Sequence, residues 1–205
     1  MERYLITQSL LSAWNYMFDC HEGCEEDAKE AFLLALDREK VEPTPEMCNG
    51  IAFENEVYAQ AHGLEREPHE LWENGIRKVA AILGAAPVQV KAKREIQVGG
   101  MTFLVYGILD ALQAGIIYDV KFRNKSLGSE DIYGKYLGSA QHPAYFYIVP
   151  EATEFRYLVS DGEDVYQEVY TRDGTRSIGD IIGEFIKSLE SMDLLDRYKQ
   201  HWVAL

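Results

Sequence analysis

Long apolar runs, cysteines and linker-like stretches are scarce in this chain, and each absence narrows what it can be. No segment approaches the roughly 18 uncharged apolar residues that a membrane-spanning helix needs. The opening Met1-Glu2-Arg3-Tyr4 lacks the basic-then-apolar layout of a signal peptide. A cytoplasmic protein with no membrane association is therefore expected. The three cysteines, Cys20, Cys24 and Cys48, are odd in number and crowded into the first quarter of 205 residues. They make a poor disulfide framework, and a reducing compartment fits. With His21 they could hold Zn²⁺, but their spacing matches no structural zinc motif, and idle or buried thiols are the simpler reading. No phosphate-binding loop or dinucleotide fingerprint occurs, which leaves ATP-driven and redox chemistry unsupported. No internal repeat, low-complexity tract or Pro/Gly/Ser-rich linker marks a boundary, so one domain over 1–205 is expected.

Positive charge is also scarce: 20 Lys and Arg stand against 34 Asp and Glu, a net charge of −14. Taken alone this argues against nucleic acid as a partner, because phosphate binding is carried by Lys and Arg. The distribution changes the argument. Between Lys91 and Lys135 seven basic residues (Lys91, Lys93, Arg94, Lys121, Arg123, Lys125, Lys135) face five acidic ones (Glu95, Asp110, Asp119, Glu130, Asp131), a local balance of +2, while the remainder carries −16.

What is present reads as helices, then strands, then helices. Helical periodicity covers Gln8 to Phe18, Glu25 to Leu36, Asn49 to about His62 after Pro43 and Pro45, and His69 to Leu83. Val88, Val90, Ala92, Ile96 and Val98 then alternate with polar residues up to a Gly99-Gly100 turn. Met101 to Leu112 is a long apolar run, and Gln113-Ala114-Gly115 turns the chain into Ile116 to Phe122. These three segments read as an antiparallel meander. A helix from about Ser129 to Ile148 follows, then strands Glu154 to Ser160 and Val165 to Thr171, and a last helix from about Ile178 to Tyr198.

Within the meander, Asp110 nears the end of one strand and Asp119 lies on the next, so the turn at Gly115 brings the carboxylates together. Asp119 and Lys121 are two apart and share a strand face, with Tyr118, Val120 and Phe122 on the other. Mg²⁺ takes hard oxygen ligands, usually one or two carboxylates with water and substrate phosphate. An ammonium beside such a pair can orient the attacking water or stabilise phosphate charge, which is what phosphodiester hydrolysis needs. The string alone is uninformative, since Asp27-Ala28-Lys29 repeats it on a solvated helical face. Its context is informative, because ionisable residues interrupting core strands usually have a metal or an ion partner. The alternative is that Asp119 and Lys121 merely pair with other side chains at a sheet edge.

Tyr106-Gly107-Ile108-Leu109-Asp110-Ala111 followed by Ile117-Tyr118-Asp119-Val120-Lys121-Phe122 resembles the central signature of the PD-(D/E)XK nuclease superfamily, in its RecB-like and phage recombination exonuclease branch. Gly50-Ile51-Ala52-Phe53-Glu54 resembles the helix motif upstream of the sheet, Gln141-His142-Pro143-Ala144-Tyr145 the Gln-x-x-x-Tyr motif after the Lys strand, and Ser9 to Trp14 the Ser-rich N-terminal helix of that branch. The resemblance spans roughly residues 5 to 150. It implies an α/β restriction-endonuclease-like core, ordered helix, three-stranded antiparallel meander, helix, strand, with extra helices at both ends. Residues 1–45 would form an N-terminal helical part, 46–172 the catalytic core and 173–205 a C-terminal helix.

The resemblance further implies that Asp110, Asp119 and the Val120 carbonyl ligate Mg²⁺, with Mn²⁺ able to substitute. Lys121 would activate or position water, and Glu54 would face the metal directly or through water. Gln141 and Tyr145, one helical turn apart, would steady Lys121 or the substrate phosphate. Arg123 and Lys125 are the basic residues closest to this set, and contacts from so few cations would go to DNA backbone rather than bases. The iron–sulfur cluster of some relatives is excluded, since no cysteine follows Cys48. His142-Pro143 departs from the family pattern. Pro143 fits a helix's first turn better than its interior, which points to a start later than Ser129 for that helix. The implied function is a metal-dependent deoxyribonuclease, an exonuclease of recombination or repair. A ring-forming homo-oligomer could keep it on DNA, with a single-strand annealing protein as a possible partner. The rivals are an endonuclease, an enzyme acting on RNA, and a catalytically silent nuclease-fold interaction protein or acidic DNA mimic, which the net charge motivates.

Overall fold

The computed structural model of the chain describes residues 2–128 and 132–204. In chain order its elements are β1 (Arg3–Thr7), α1 (Gln8–Asp19), α2 (Glu25–Leu36), α3 (Pro45–Ala61), α4 (Glu73–Leu83), β2 (Val88–Val98), β3 (Met101–Gln113), β4 (Ile116–Phe122), α5 (Gln141–Ile148), β5 (Glu154–Ser160), β6 (Val165–Thr171), α6 (Ile178–Ser191) and α7 (Leu195–His201). Among the described residues they form one six-stranded sheet, in which the path β1-β3-β4-β5-β6 is joined by β2 along β3.

The meander is as the turn chemistry predicts. β2 and β3 pair antiparallel around Gly99 and Gly100, which hold φ of +57° and +78°, a region that costs glycine little. β3 and β4 pair antiparallel across Ala114-Gly115, also both at positive φ. β4 and β5 are parallel, so the chain must cross over between them, and α5 lies in that crossover. Alternation along β4 and β5 separates two cores. Ile117, Phe155, Tyr157 and Val159 pack with α1, α2, α5, α6 and α7, whereas Tyr118, Val120 and Leu158 pack with Phe53 and Val57 of α3 and Ile76, Val79 and Leu83 of α4.

Several boundaries differ from the sequence expectation, each for a local reason. Residues 1–45 are not purely helical: β1 lies parallel to β3 from Arg3↔Thr102 to Thr7↔Tyr106. Five residues are too few to show a period, and the pairing partner lies about a hundred residues away. α3 begins at Pro45 rather than Asn49 because Pro is favoured in a first turn, and the Thr44 hydroxyl caps it by accepting from the Met47 N–H. α4 begins at Glu73 rather than His69, since His69 Nδ1 accepts from the N–H groups of Leu71 and Trp72 and turns the chain there. The helix drawn from Ser129 is α5, beginning at Gln141 with Pro143 in its first turn; Ser129, Glu130 and Asp131 lie outside the described residues. The C-terminal helix is two, broken where Asp193 adopts φ +56°. No described helix is long and apolar enough to cross a membrane.

Candidate active site

The site begins with a fault in the sheet. One edge of β3 is shared: Thr102 to Tyr106 pair with β1, and Ala111 to Gln113 pair with β4. Between them Gly107 to Asp110 have no partner on that edge, since β1 turns into α1 while β4 approaches from the other side. The Asp110 side chain takes over a ladder bond there, one carboxylate oxygen accepting the Val120 N–H at 2.8 Å. A pocket of about 370 Å³ opens into this gap, lined by Asp110, Asp119, Lys121, Glu54, Gln141 and Tyr145, together with Thr7, Gln8 and Ser9 of the β1–α1 junction, Gln89, and Tyr106 to Ile108.

Asp119 is the most enclosed of the acids, 1% exposed. Its Oδ2 lies 2.5 Å from Lys121 Nζ, and its Oδ1 accepts from the Gln141 side-chain amide. Burial and the neighbouring Asp119 carboxylate push the Asp110 carboxyl well above the usual range, with Lys121 opposing. Burial also raises Glu54, against hydrogen bonds from Tyr58 and Gln89 that lower it. For Lys121, burial alone would lower the ammonium, but Asp119 and Asp110 outweigh it, so it is raised and stays charged near neutrality. Two carboxylates and one ammonium thus share the gap, and negative charge is in excess.

That excess, with hard oxygen donors on adjacent strands, fits a divalent cation held by Asp110 and Asp119, with the Val120 main chain between them. Among the described residues no three His, Cys, Asp or Glu side chains form a ready metal cage. Glu54 therefore does not close a three-carboxylate cluster, and contact through water suits its place on the pocket wall. Arg123 and Lys125 are not brought into the pocket. Arg123 follows the end of β4, where its N–H donates to the Ser160 carbonyl, and Lys125 is exposed in the bend beyond.

Tyr145 lines the pocket at 4% exposure, and its hydroxyl donates to the Ile108 carbonyl at 2.9 Å. That contact ties α5 to the unpaired stretch of β3, which makes Tyr145 a brace for the gap. It depends on Gly107, because a Cβ there would lie 2.4 Å from Tyr145 Cε1 and 3.1 Å from Ile148 Cδ1. Gly107→Ala is expected to cost about 1–3 kcal/mol in chemical denaturation, the usual penalty for overpacking a fixed ring. It should lower any activity through displaced Gln141; unchanged stability would show that the ring has room to move.

Two contributions had no readable signal in the sequence. Gln89 adopts φ +53° inside β2, in a position skipped between the registered pairs Val88↔Ala111 and Val90↔Leu109. From this rare conformation its amide donates to Glu54 Oε1 at 3.0 Å and to the Tyr58 hydroxyl at 3.3 Å, while Tyr58 donates to the same Glu54 oxygen at 2.6 Å. One Glu54 oxygen is thereby fixed by two donors. The second is the β1–α1 junction, which enters the pocket only because β1 joins the sheet.

No protein-family profile and no curated protein matches this sequence. Solved structures do. The crystal structure of SSO0001 superposes with a TM-score of 0.54 at 14% identity, over 94% of this chain and 78% of that one. The crystal structure of LHK-Exo in complex with dAMP superposes with a TM-score of 0.54 at 13% identity, over 94% of this chain and 91% of that one. The fold is shared with both structures. More closely, the central sheet with helices on both faces is a restriction-endonuclease-like core, as the sequence suggested. Identities this low carry the architecture alone.

Proposed function

We propose that this chain is a Mg²⁺-dependent deoxyribonuclease that hydrolyses DNA phosphodiesters, acting from DNA ends in recombination or repair. The observation that carries the hydrolytic reading is the convergence of Asp110, Asp119 and Lys121 at a break in the sheet, inside a pocket. A sheet-edge ion pair would need one carboxylate, yet here two are held together against their repulsion. Action at ends is supported by the likeness to LHK-Exo, a nuclease-fold protein crystallised with dAMP.

A cation bound by Asp110 and Asp119 would supply Lewis-acid stabilisation and a more acidic water. The protein's own groups do the rest. Lys121, kept charged by the two aspartates, holds a positive group where a phosphate oxygen or attacking water would sit. Gln141 fixes the rotamer of Asp119 through Oδ1, leaving Oδ2 to Lys121. The Asp110 bond to the Val120 N–H ties β3 to β4 where the two strands part, and so holds the Asp110 carboxylate beside β4. The half-buried Glu54 carboxylate, held by Tyr58 and Gln89, adds an acceptor for an ordered water.

The test incubates the protein with linear duplex, linear single-stranded and covalently closed circular DNA, in Mg²⁺ and in EDTA. Cleavage of the linear forms that needs Mg²⁺ and disappears in Asp119→Asn is the expected result. Nicking of closed circles would make the enzyme an endonuclease. No hydrolysis in Mg²⁺ or Mn²⁺ would overturn the catalytic reading and leave a nuclease fold used for interaction.

A further inference from the structure

The sheet face that runs from the pocket along β2 and β3 is covered at one end only. α3 and α4 pack over Val88 and Ala111, but beyond them Lys91, Lys93, Glu95 and Gln97 of β2 are all exposed. Register places Lys91 opposite Ile108 and Lys93 opposite Tyr106, and directly opposed residues of an antiparallel pair share a face. Ile108 and Tyr106 both line the catalytic pocket. Tyr106 also lines a second hollow, about 280 Å³, whose floor is Leu5, Leu104 and Val203 and whose flanks are Lys93 and Arg38. Pocket and hollow thus share one half-buried tyrosine in their linings.

We infer that this uncovered β2–β3 face is a single-stranded nucleic-acid track leading to the pocket, with Lys91, Lys93 and Arg38 on phosphates and Tyr106 stacking a base. The inference rests on the nuclease reading for its direction, but its chemistry is independent. Neither Lys91 nor Lys93 has a hydrogen-bond or ion-pair partner among the described residues, while the next carboxylate on the face, Glu95, is held by Arg3 at 2.5 Å. In a chain of net charge −14, two unpaired ammoniums beside an apolar hollow make a local exception. Alternate residues of a strand stand about 7 Å apart, comparable to one nucleotide of an extended single strand. A cationic row flanking an aromatic platform is how proteins hold single strands without reading sequence. A duplex is too wide to seat its bases in the hollow, whereas one strand can lay a base on Tyr106 while its backbone passes the lysines.

Anisotropy of a fluorescent oligothymidylate, titrated at several salt concentrations in EDTA, reads this face without catalysis. Lys91→Gln/Lys93→Gln is expected to weaken binding and to reduce the log–log salt slope by about 1.4, the value for two lost single-strand phosphate contacts. Lys29→Gln/Lys187→Gln, an equal charge change on exposed positions of α2 and α6, should leave the slope unchanged. Tyr106→Leu should weaken binding about tenfold with no change of slope, because stacking carries no counterion release; a melting curve matching wild type separates this from misfolding. An unchanged slope in the β2 variant, or an equal loss in the control, overturns the track. An equal effect on a blunt duplex also overturns it, as a face for double strands. Oligothymidylate binding that depends on Lys91 and Lys93, without cleavage in Mg²⁺, would instead sink the nuclease reading alone.

Discussion

Asp110→Asn is expected to abolish Mg²⁺-dependent cleavage by at least about 10³-fold and, in EDTA, to raise the melting temperature. The two effects share a cause. In the free protein Asp110 is a half-buried carboxylate beside Asp119, and both desolvation and that neighbour disfavour its charge. A group whose folded pKa is raised makes the fold most stable below its ordinary pKa, and that advantage is lost as pH rises above about 4. At neutral pH the native state therefore carries strained charge, which Asn removes. Asn can still accept the Val120 N–H through its carbonyl oxygen, so the ladder substitute survives. Each kcal/mol gained corresponds to about 2–4 °C in a domain of this size. Catalysis changes the other way, because a carboxylate lost from a cation site removes several kcal/mol of transition-state stabilisation, and 1.36 kcal/mol is a factor of about ten. Differential scanning calorimetry in EDTA and in Mg²⁺ is decisive, because added Mg²⁺ should raise the melting temperature of wild type and leave that of Asp110→Asn unchanged. A variant that is less stable in EDTA would show that Asp110 is a structural ion partner and not a strained charge.

Acid should destabilise this protein through a different residue. His142 is 3% exposed, stacks on Tyr170 at 4.1 Å, and has Nδ1 within 3.3 Å of the Tyr157 hydroxyl. Burial lowers its pKa to about 4. In the unfolded chain an ordinary imidazole titrates near 6.5, so below that pH the unfolded state binds a proton the native state refuses. The stability His142 permits is complete above about 6.5 and falls as the pH drops toward 4, by about 3 kcal/mol across that window. His142→Phe keeps a ring against Tyr170 and removes the titration. Its urea midpoint should therefore fall less than that of wild type between pH 7 and pH 4. Parallel pH dependences would mean that the site admits water and that His142 titrates freely.

The hairpins at Gly99-Gly100 and Ala114-Gly115 were readable because turn residues act locally, and the two faces of β4 because alternation by two is enforced wherever a core lies on each side. Asp110, Asp119, Lys121, Glu54, Gln141 and Tyr145 were named from the ordered motifs, and the fold gathers all six around one pocket. It does not gather Arg123 and Lys125, which were named for charge and proximity in sequence. Cationic side chains are soluble anywhere on a surface, so sequence distance says little about where they point. Gln89 was invisible for the opposite reason. Its left-handed backbone is imposed by its neighbours, and nothing in the residue announces it.

The sequence by itself determined most of the local elements and six of the pocket's residues, because helix periods, turn glycines and strand alternation are dictated by short-range sterics and by burial of one face. Only the tertiary structure decided that β1 pairs with β3, that β1 and β4 part at Gly107 to Asp110, and that the pocket lies in that gap. Pairing between segments a hundred residues apart depends on what each strand finds to bond when the chain collapses. A break in a ladder becomes a site only when the groups left unpaired there, Asp110 above all, find partners across it.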